Sequence, residues 1–173
     1  MLSMVEYVHG RIQAYAPFEV GVDFTMGRGQ DTKVLLDHAN EVYAFDIQEE
    51  ALKDTSILIN NDPRAKLILS SHDQFTDYLD NYDVGVFNLG YLPKGDHKIT
   101  TNLETTKKAI TLAVERMRKA LLIVLYIGHE EGAREAKWVE EYASTLDRYS
   151  YNVSTYKMLN KPKAPYVIEI EKR

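Results

Sequence analysis

The run Val20-Gly21-Val22-Asp23-Phe24-Thr25-Met26-Gly27-Arg28-Gly29-Gln30-Asp31-Thr32 constrains this chain more than any other stretch. It opens as an apolar β-branched segment, passes through an acid, and closes on two glycines one residue apart. A helix-like pattern follows. A second apolar run, Val42-Tyr43-Ala44-Phe45, then ends in Asp46, nineteen residues after Gly27. Strand, glycine turn, helix, strand, acid is the order of a nucleotide-binding α/β unit. Glycine lets backbone approach a ligand because no Cβ intervenes. A carboxylate at the end of the second strand can accept from both hydroxyls of a ribose. Asp46 is expected to face an open cleft there, with no buried partner of its own.

Two departures from a dinucleotide fingerprint narrow the ligand. The third glycine of Gly-x-Gly-x-x-Gly is replaced by Thr32, which disfavours a pyrophosphate on the helix N-terminus. Asp23, just ahead of the turn, would repel pyrophosphate but can pair with an ammonium group. A nucleoside that carries an amino acid, S-adenosylmethionine, suits both acids better than NAD does. The competing reading is that Gly27 and Gly29 only make a tight strand-to-helix turn.

Composition removes several other classes. The 173 residues suit one domain, 1–173, and 45% hydrophobic content can fill a substantial core. With no cysteine there is no disulfide, thiolate metal site or cysteine nucleophile, which fits a reducing cytoplasm. The N-terminus lacks a basic flank and a long apolar core, so no signal peptide is expected, and no apolar run is long enough for a membrane span. A net charge of −5 does not announce a nucleic-acid binder. His72, His97 and His129 stand in no recognisable ligand spacing, so no metal is expected. There is no Gly-x-Ser-x-Gly elbow and no phosphate-loop lysine.

Periodicity and punctuation give the elements. Helices are expected over Leu2 to Ala16, Asp31 to His38 with Asp31 as cap, Gln48 to Asn60, Phe75 to Leu79, Leu103 to Lys119, and Glu135 to Leu146. Strands are expected over Val20 to Thr25, Val42 to Ile47, Ala65 to Ser70, Asp83 to Asn88 and Leu121 to Ile127. Residues 128–132 form a loop. Tyr151 to Leu159 and Tyr166 to Ile170 read as two strands without an intervening helix, an antiparallel pair. The sum is a single doubly wound, Rossmann-like α/β domain: a mostly parallel seven-stranded sheet closed by a C-terminal antiparallel hairpin, with an antiparallel strand at its edge.

Ligands of such sheets bind at the carboxyl ends of the strands. Those ends carry Asp23 to Gly29, Asp46 to Gln48, His72 to Gln74, Asn88 to Pro93, and Gly128 to Gly132. Asp73 can accept from an adenine amine or cap the helix that begins at Gln74. His72 reads as a structural hydrogen-bonder. The Asn88 carbonyl can orient an amine and the Tyr91 ring can stack on a base, although Asn and Gly are also ordinary turn residues. His129 can take a proton from an amine near neutral pH.

Taken together, Asp23-x-Thr25-Met26-Gly27-x-Gly29-x-Asp31-Thr32, Phe45-Asp46-Ile47-Gln48, Ser71-His72-Asp73, Phe87-Asn88-Leu89-Gly90-Tyr91-Leu92-Pro93, Gly95-Asp96, Glu104-Thr105-Thr106 and Tyr126-x-Gly128-His129 resemble a small bacterial methyltransferase family long labelled rRNA methylase. The resemblance spans nearly the whole chain. It implies a class I S-adenosylmethionine-dependent fold and methylation of the amine of 5-aminomethyl-2-thiouridine at the tRNA wobble position. Carried over, Asp23, Thr25, Gly27, Gly29, Asp31, Asp46, Gln48, His72, Asp73 and Asn88 would line the S-adenosylmethionine, while Asn88, Tyr91 and His129 would face the acceptor. The implied partner is the tRNA anticodon region, with a homodimer among the assemblies allowed. The family usually has Ala at position 24 and Asn at 28; this chain has Phe24 and Arg28. RNA binding by an acidic chain needs a local basic patch. One candidate is Lys94, Lys98, Lys107, Lys108, Arg116, Arg118 and Lys119; the other is Lys157, Lys161 and Lys163. The alternatives are an enzyme acting on rRNA or a small molecule, and a nucleotide-binding module without catalysis.

Overall fold

The computed structural model describes residues 1–90 and 102–173. The chain order is α1 (Met4–Tyr15), β1 (Phe18–Asp23), α2 (Gln30–Leu36), β2 (Ala39–Asp46), α3 (Glu49–Leu58), β3 (Ala65–Leu69), a 3-10 helix (His72–Asp77), β4 (Tyr82–Leu89), α4 (Leu103–Arg116), β5 (Met117–Leu125), α5 (Glu130–Ser144), β6 (Tyr151–Tyr156) and β7 (Tyr166–Lys172). The strands form one sheet in the order β3-β2-β1-β4-β5-β7-β6. The first five are parallel.

The C-terminal hairpin is antiparallel as expected, but its last strand does not lie at the edge. β7 inserts between β5 and β6, antiparallel to both. The burial pattern explains the order. Tyr166 to Ile170 are buried throughout, whereas β6 is mostly exposed. The more apolar strand takes the covered position.

Other boundaries move for identifiable reasons. Ser3 caps α1 through a reciprocal capping box with Glu6. α2 starts immediately after the glycine turn, at Gln30. Its cap is Gly29 at φ 90°, so Asp31 sits inside the first turn and not at the cap. That left-handed conformation suits glycine, and the helix dipole favours an acid in the first turn. Residues 117–119 were expected as the end of α4 and instead open β5. Met117 pairs with Tyr82 and is 1% exposed, so sheet pairing outweighs the helical periodicity. α5 begins at Glu130, within the expected loop, because His129 caps it by accepting from the Gly132 amide.

Both faces of the sheet are covered. α1 and α2 bury Val8, Ile12, Leu35 and Leu36 against one face. α4 and α5 cover the other, with Ala109, Ala113 and Val139 inward and Trp138 stacked on Tyr142. α1 is tied to the far side of the sheet by a polar cluster. Buried Glu169 on β7 accepts from Arg11 through two nitrogens and from the Tyr7 and Tyr15 hydroxyls. No described helix is long and apolar enough to cross a membrane.

Beneath the glycine turn lies an aromatic floor. Phe24 stacks on Phe87 at 4.2 Å and meets Phe75 and Tyr82 edge-on at 5.0 and 5.5 Å. This gives the large side chain at position 24 its place: it covers Gly85. A Cβ at residue 85 would lie 2.7 Å from the Phe24 ring and 2.8 Å from the Tyr82 ring, both buried. Gly85→Ala is therefore expected to destabilise the fold by about 1–3 kcal/mol through overpacking. The denaturant midpoint reads it, with an unchanged slope showing that compactness is retained.

Candidate functional site

The order β3-β2-β1-β4-β5 reverses between β1 and β4, so a crevice opens at their carboxyl ends. Asp23 to Gly29, Asp46, His72 and Asn88 all lie at that edge. A recess of about 440 Å³ lined by Ala16, Pro17, Leu36 and Arg64 belongs to the opposite, amino-terminal end of β1 and β2.

The two glycines of the turn do different work. Gly27 has φ 54°, and the nearest atom to a Cβ built there is 3.9 Å away, so its surface is open to a ligand. At Gly29 a Cβ would meet the Thr55 side chain at 2.7 Å. Gly29 thus admits α3 to the turn, and the space its missing side chain leaves is filled by protein. Thr55 also donates to the Gly27 carbonyl at 3.3 Å.

Asp46 braces the turn. One carboxylate oxygen accepts from the Gly27 amide at 3.0 Å and the other from the Gln48 amide at 3.0 Å. The expectation that Asp46 has no partner in the free protein is corrected here. The turn places two amide hydrogens against the strand end, and they need an acceptor. Each carboxylate oxygen keeps a second lone pair for a ligand.

Asp23 is fully buried. It accepts from Thr32 Oγ1 at 2.7 Å and from the Thr25 amide at 3.2 Å. Thr32, which occupies the third-glycine position, is therefore an anchor between α2 and β1. Burial pushes the Asp23 carboxyl up to about 8, and the nearby charge of Asp31 adds to the shift. Arg28 is exposed in the turn.

A hydrogen-bond chain runs from the N-terminal helix into the crevice. His9 Nε2 lies 2.9 Å from Asp31, and Asn88 Nδ2 donates to the other Asp31 oxygen at 2.8 Å. A carboxylate only accepts, so it fixes which edge of the Asn88 amide carries hydrogen. The Asn88 carbonyl is left on the opposite edge, where the Tyr126 hydroxyl donates at 3.4 Å. The Asn88 amide nitrogen donates to Thr25 Oγ1 at 2.7 Å, joining β4 to the turn. His9 was not legible in sequence: a histidine on an amphipathic helix carries no spacing signal toward a site 22 residues away.

On the third strand's side, His72 is buried, and burial depresses its imidazole to about 4, so it is neutral at pH 7. Its Nε2 has no hydrogen-bond partner among the described residues. Asp73 lies within the 3-10 helix, which Ser71 precedes, so it does not cap a helix beginning at Gln74. Burial raises the Asp73 carboxyl, but Ser71, Gln74 and the Lys108 ammonium at 3.6 Å outweigh it and hold it low.

His129 is not free to act as a base in this geometry. Its Nε2 lies 2.6 Å from the Gly90 carbonyl, and its Nδ1 accepts from the Gly132 amide at 3.3 Å. A carbonyl only accepts, so in this geometry Nε2 donates and Nδ1 accepts, and both nitrogens are occupied. The junction it holds is tight: a Cβ at Gly132 would stand 2.1 Å from the Tyr126 carbonyl oxygen, and one at Gly90 would stand 2.4 Å from it. Tyr91 lies outside the described residues, as do Gly95, Asp96 and His97. Among the described residues no group of three or more acids and histidines is arranged to hold a metal.

The described residues of the larger basic region do not form one patch. Lys94 and Lys98 lie outside the described residues. Lys108 is paired with Asp73, and Lys107 lies 3.9 Å from Glu104. Arg116 and Lys119 sit at the amino end of β5, where Lys119 donates to the Pro17 carbonyl.

A five-stranded parallel sheet with a reversed seventh strand and a glycine-turn crevice defines the fold of Rossmann-like methyltransferases. The N-methyltransferase NodS of Bradyrhizobium japonicum shares it at 12% identity over 96% of this chain and 94% of its own, with a TM-score of 0.67. The family model described as "Putative rRNA methylase" matches residues 42–171, and the chain belongs to that family. It is similar to the "putative rRNA-methylase" of Clostridium thermocellum, with a TM-score of 0.93 and 30% identity over 100% of this chain and 99% of that one. The "putative methyltransferase" of Streptococcus mutans, solved in complex with SAH, gives a TM-score of 0.91 and 32% identity over 100% and 99%. A curated relative, the chloroplastic tRNA (mnm(5)s(2)U34)-methyltransferase of Arabidopsis thaliana, is 34% identical over 88% of this chain. The chain spans 62% of that protein's length.

Two measurements test the electrostatics and the junction. Asp23 is raised in the fold relative to the ordinary carboxyl near 3.8, so its contribution to stability is full below that value and is lost as pH rises through about 8. His72 acts oppositely: its depressed imidazole favours the fold above 6.5, and that advantage disappears as pH falls toward about 4. Between pH 6.5 and 8, unfolding free energy should therefore fall by on the order of 1 kcal/mol per pH unit, and Asp23→Asn should flatten the slope. In the second, His129→Ala removes a helix cap and should cost about 0.5–2 kcal/mol in chemical denaturation. If His129 is instead a proton acceptor only, stability will be unchanged.

Proposed function

We propose that this chain is an S-adenosylmethionine-dependent methyltransferase acting on the amine of 5-aminomethyl-2-thiouridine at the wobble position of tRNA. The observation that carries the reading is the Asn88 amide. Its Nδ2 is held by Asp31, and its Oδ1, which accepts a long bond from the Tyr126 hydroxyl at 3.4 Å, keeps a second lone pair, so a hydrogen-bond acceptor for an amine stands at the carboxyl end of β4 beside the cradle for a nucleoside. The kinship with the S. mutans protein seen with SAH supports the cofactor, and the chloroplast tRNA enzyme supports the substrate.

The residues present fit S-adenosylmethionine. Gly27 leaves its face open, Asp46 retains lone pairs for a ribose diol, and the unpartnered His72 Nε2 and the low-held Asp73 carboxylate offer acceptors on the adenine side. The Asp31 carboxylate, which is partly exposed, would face the ligand's ammonium end, with buried Asp23 anchoring the turn behind it. When bound, the cofactor supplies a methyl group on a positively charged sulfur.

The chain's own contribution is alignment. Asn88 Oδ1 would accept one N–H of the neutral acceptor amine and so direct the nitrogen lone pair at the methyl carbon. The N–C bond forms as the C–S bond breaks, and the electron pair of that bond returns to sulfur. The nitrogen then carries one proton too many and releases it to water. His9, acting through Asp31, would keep the Asn88 amide from flipping.

The test is to incubate the protein and S-adenosylmethionine with bulk tRNA, and in parallel with rRNA, from a strain lacking the modification, and to analyse the nucleosides by mass spectrometry. Conversion of the aminomethyl to the methylaminomethyl nucleoside in tRNA is expected. An unchanged wobble nucleoside, with the protein saturated in cofactor, would sink the substrate. In the same preparation Asp46→Ala should weaken S-adenosylhomocysteine binding at least about tenfold by calorimetry. It should also cost about 1 kcal/mol of stability, because the Gly27 and Gln48 amides lose their acceptor.

A further inference from the structure

The second basic cluster lies in the hairpin between β6 and β7, residues 157–165. Between Asp147 and Glu169 the sequence holds no acidic residue, while Lys157, Lys161 and Lys163 fall in the hairpin within that span. In a chain of net charge −5 this is a locally cationic segment. Lys157, Lys161 and Lys163 are all exposed. Lys157 rests over the Tyr166 ring at 4.6 Å, and none of the three has an ion-pair partner among the described residues. Pro162 and Pro165 restrict the backbone that carries them.

The topology gives this segment its significance. β7 is antiparallel to β5, and Tyr166, its first residue, pairs with Leu125, the last residue of β5. β6 is antiparallel to β7, with Tyr156 opposite Val167. The hairpin therefore emerges at the same edge of the sheet as Asn88 and the glycine turn. From β4 to β6 there are three strand spacings, β4-β5-β7-β6, about 15 Å in all. A nucleic acid with one base in the crevice would carry its flanking backbone across that distance. The α4 and β5 cations cannot serve the same end: those described are paired or lie at the amino end of the sheet.

We infer that the 157–165 hairpin is a phosphate-contacting arm, which holds the RNA backbone through Lys157, Lys161 and Lys163 while the target base occupies the crevice at Asn88. The inference rests on the proposed RNA substrate and adds the surface that would hold it. Its recognition is of charge, so it contributes affinity and register without reading sequence.

The experiment compares the full chain with the triple variant Lys157→Ala/Lys161→Ala/Lys163→Ala and with a charge control at the other end of the sheet, Arg118→Ala/Arg148→Ala. An anticodon stem-loop RNA carrying the unmethylated nucleoside is the probe. Its affinity is measured by fluorescence anisotropy across a salt series, beside S-adenosylhomocysteine affinity and steady-state methylation. The triple variant should bind RNA about tenfold or more weakly at low salt, and its slope of log K against log salt should be shallower by about 2. KM for RNA should rise while kcat and S-adenosylhomocysteine affinity stay near wild type, and the charge control should resemble wild type. If the wild type binds and methylates the RNA and the triple variant does so with the same slope and KM, the arm is overturned and the substrate stands. If the wild type binds S-adenosylhomocysteine but does not bind the RNA at any salt concentration, the substrate and the arm both fall.

Discussion

The pairing of β1 with β4 is the constraint on which the rest of the molecule depends. These two strands meet where the order of the sheet reverses, and their register sets Asp23 opposite Val86. The Phe24 amide extends the ladder to the Val86 carbonyl, and the Asn88 amide then closes on the Thr25 hydroxyl. The last two residues of β4 and the first of the glycine turn are thus held as one unit. A shift of one residue in this register would send the Asp23 and Asn88 side chains to opposite faces of the sheet. The aromatic floor of Phe24, Phe87, Phe75 and Tyr82 resists such a shift, because Phe24 fits only over a glycine at position 85.

Around that unit the protein gathers acids with few cations. Asp23, Asp31 and Asp46 lie within one turn of chain and the strand beside it. Each is accommodated by different means: Asp23 is buried, which raises its proton affinity, and accepts from the Thr32 hydroxyl and the Thr25 amide; Asp31 is held by His9 and Asn88; Asp46 by two backbone amides. A site with this balance of charge suits a ligand that is itself cationic, because a positive group beside Asp31 and Asp46 favours their ionised form. The surface is divided accordingly: the β6–β7 hairpin carries exposed lysines, and the carboxyl ends of β1 and β2 carry acids.

Much of the fold was legible from pattern alone. The parallel strands read as apolar runs ending in polar residues, since strands covered on both faces need apolar side chains and strand ends need groups that can meet water or ligand. The glycine turn and Asp46 were legible because φ near 54° and a nineteen-residue spacing leave few alternatives. The exact limits were less so. Residues 117–119 continue a helical periodicity and are claimed by pairing with β4, an interaction between segments that no local window contains. Asp31 looked like a cap because Asp is a good one, yet Gly29 takes the position through a backbone conformation that an aspartate adopts less readily.

Residue types and spacing in the chain were enough to establish a doubly wound domain and the acids that gather at the carboxyl ends of its strands, because hydrophobic period and turn chemistry are local properties. Tertiary structure alone decided how those groups are used. It filled the space beside Gly29 with Thr55 and left that beside Gly27 open. It placed His129 as a cap whose two nitrogens contact the Gly90 carbonyl and the Gly132 amide, and brought His9 from a remote helix to bear on Asn88 through Asp31. Each of these outcomes depends on a contact between segments distant in sequence, and the free energy of such a contact is set by packing that exists only once the sheet has formed.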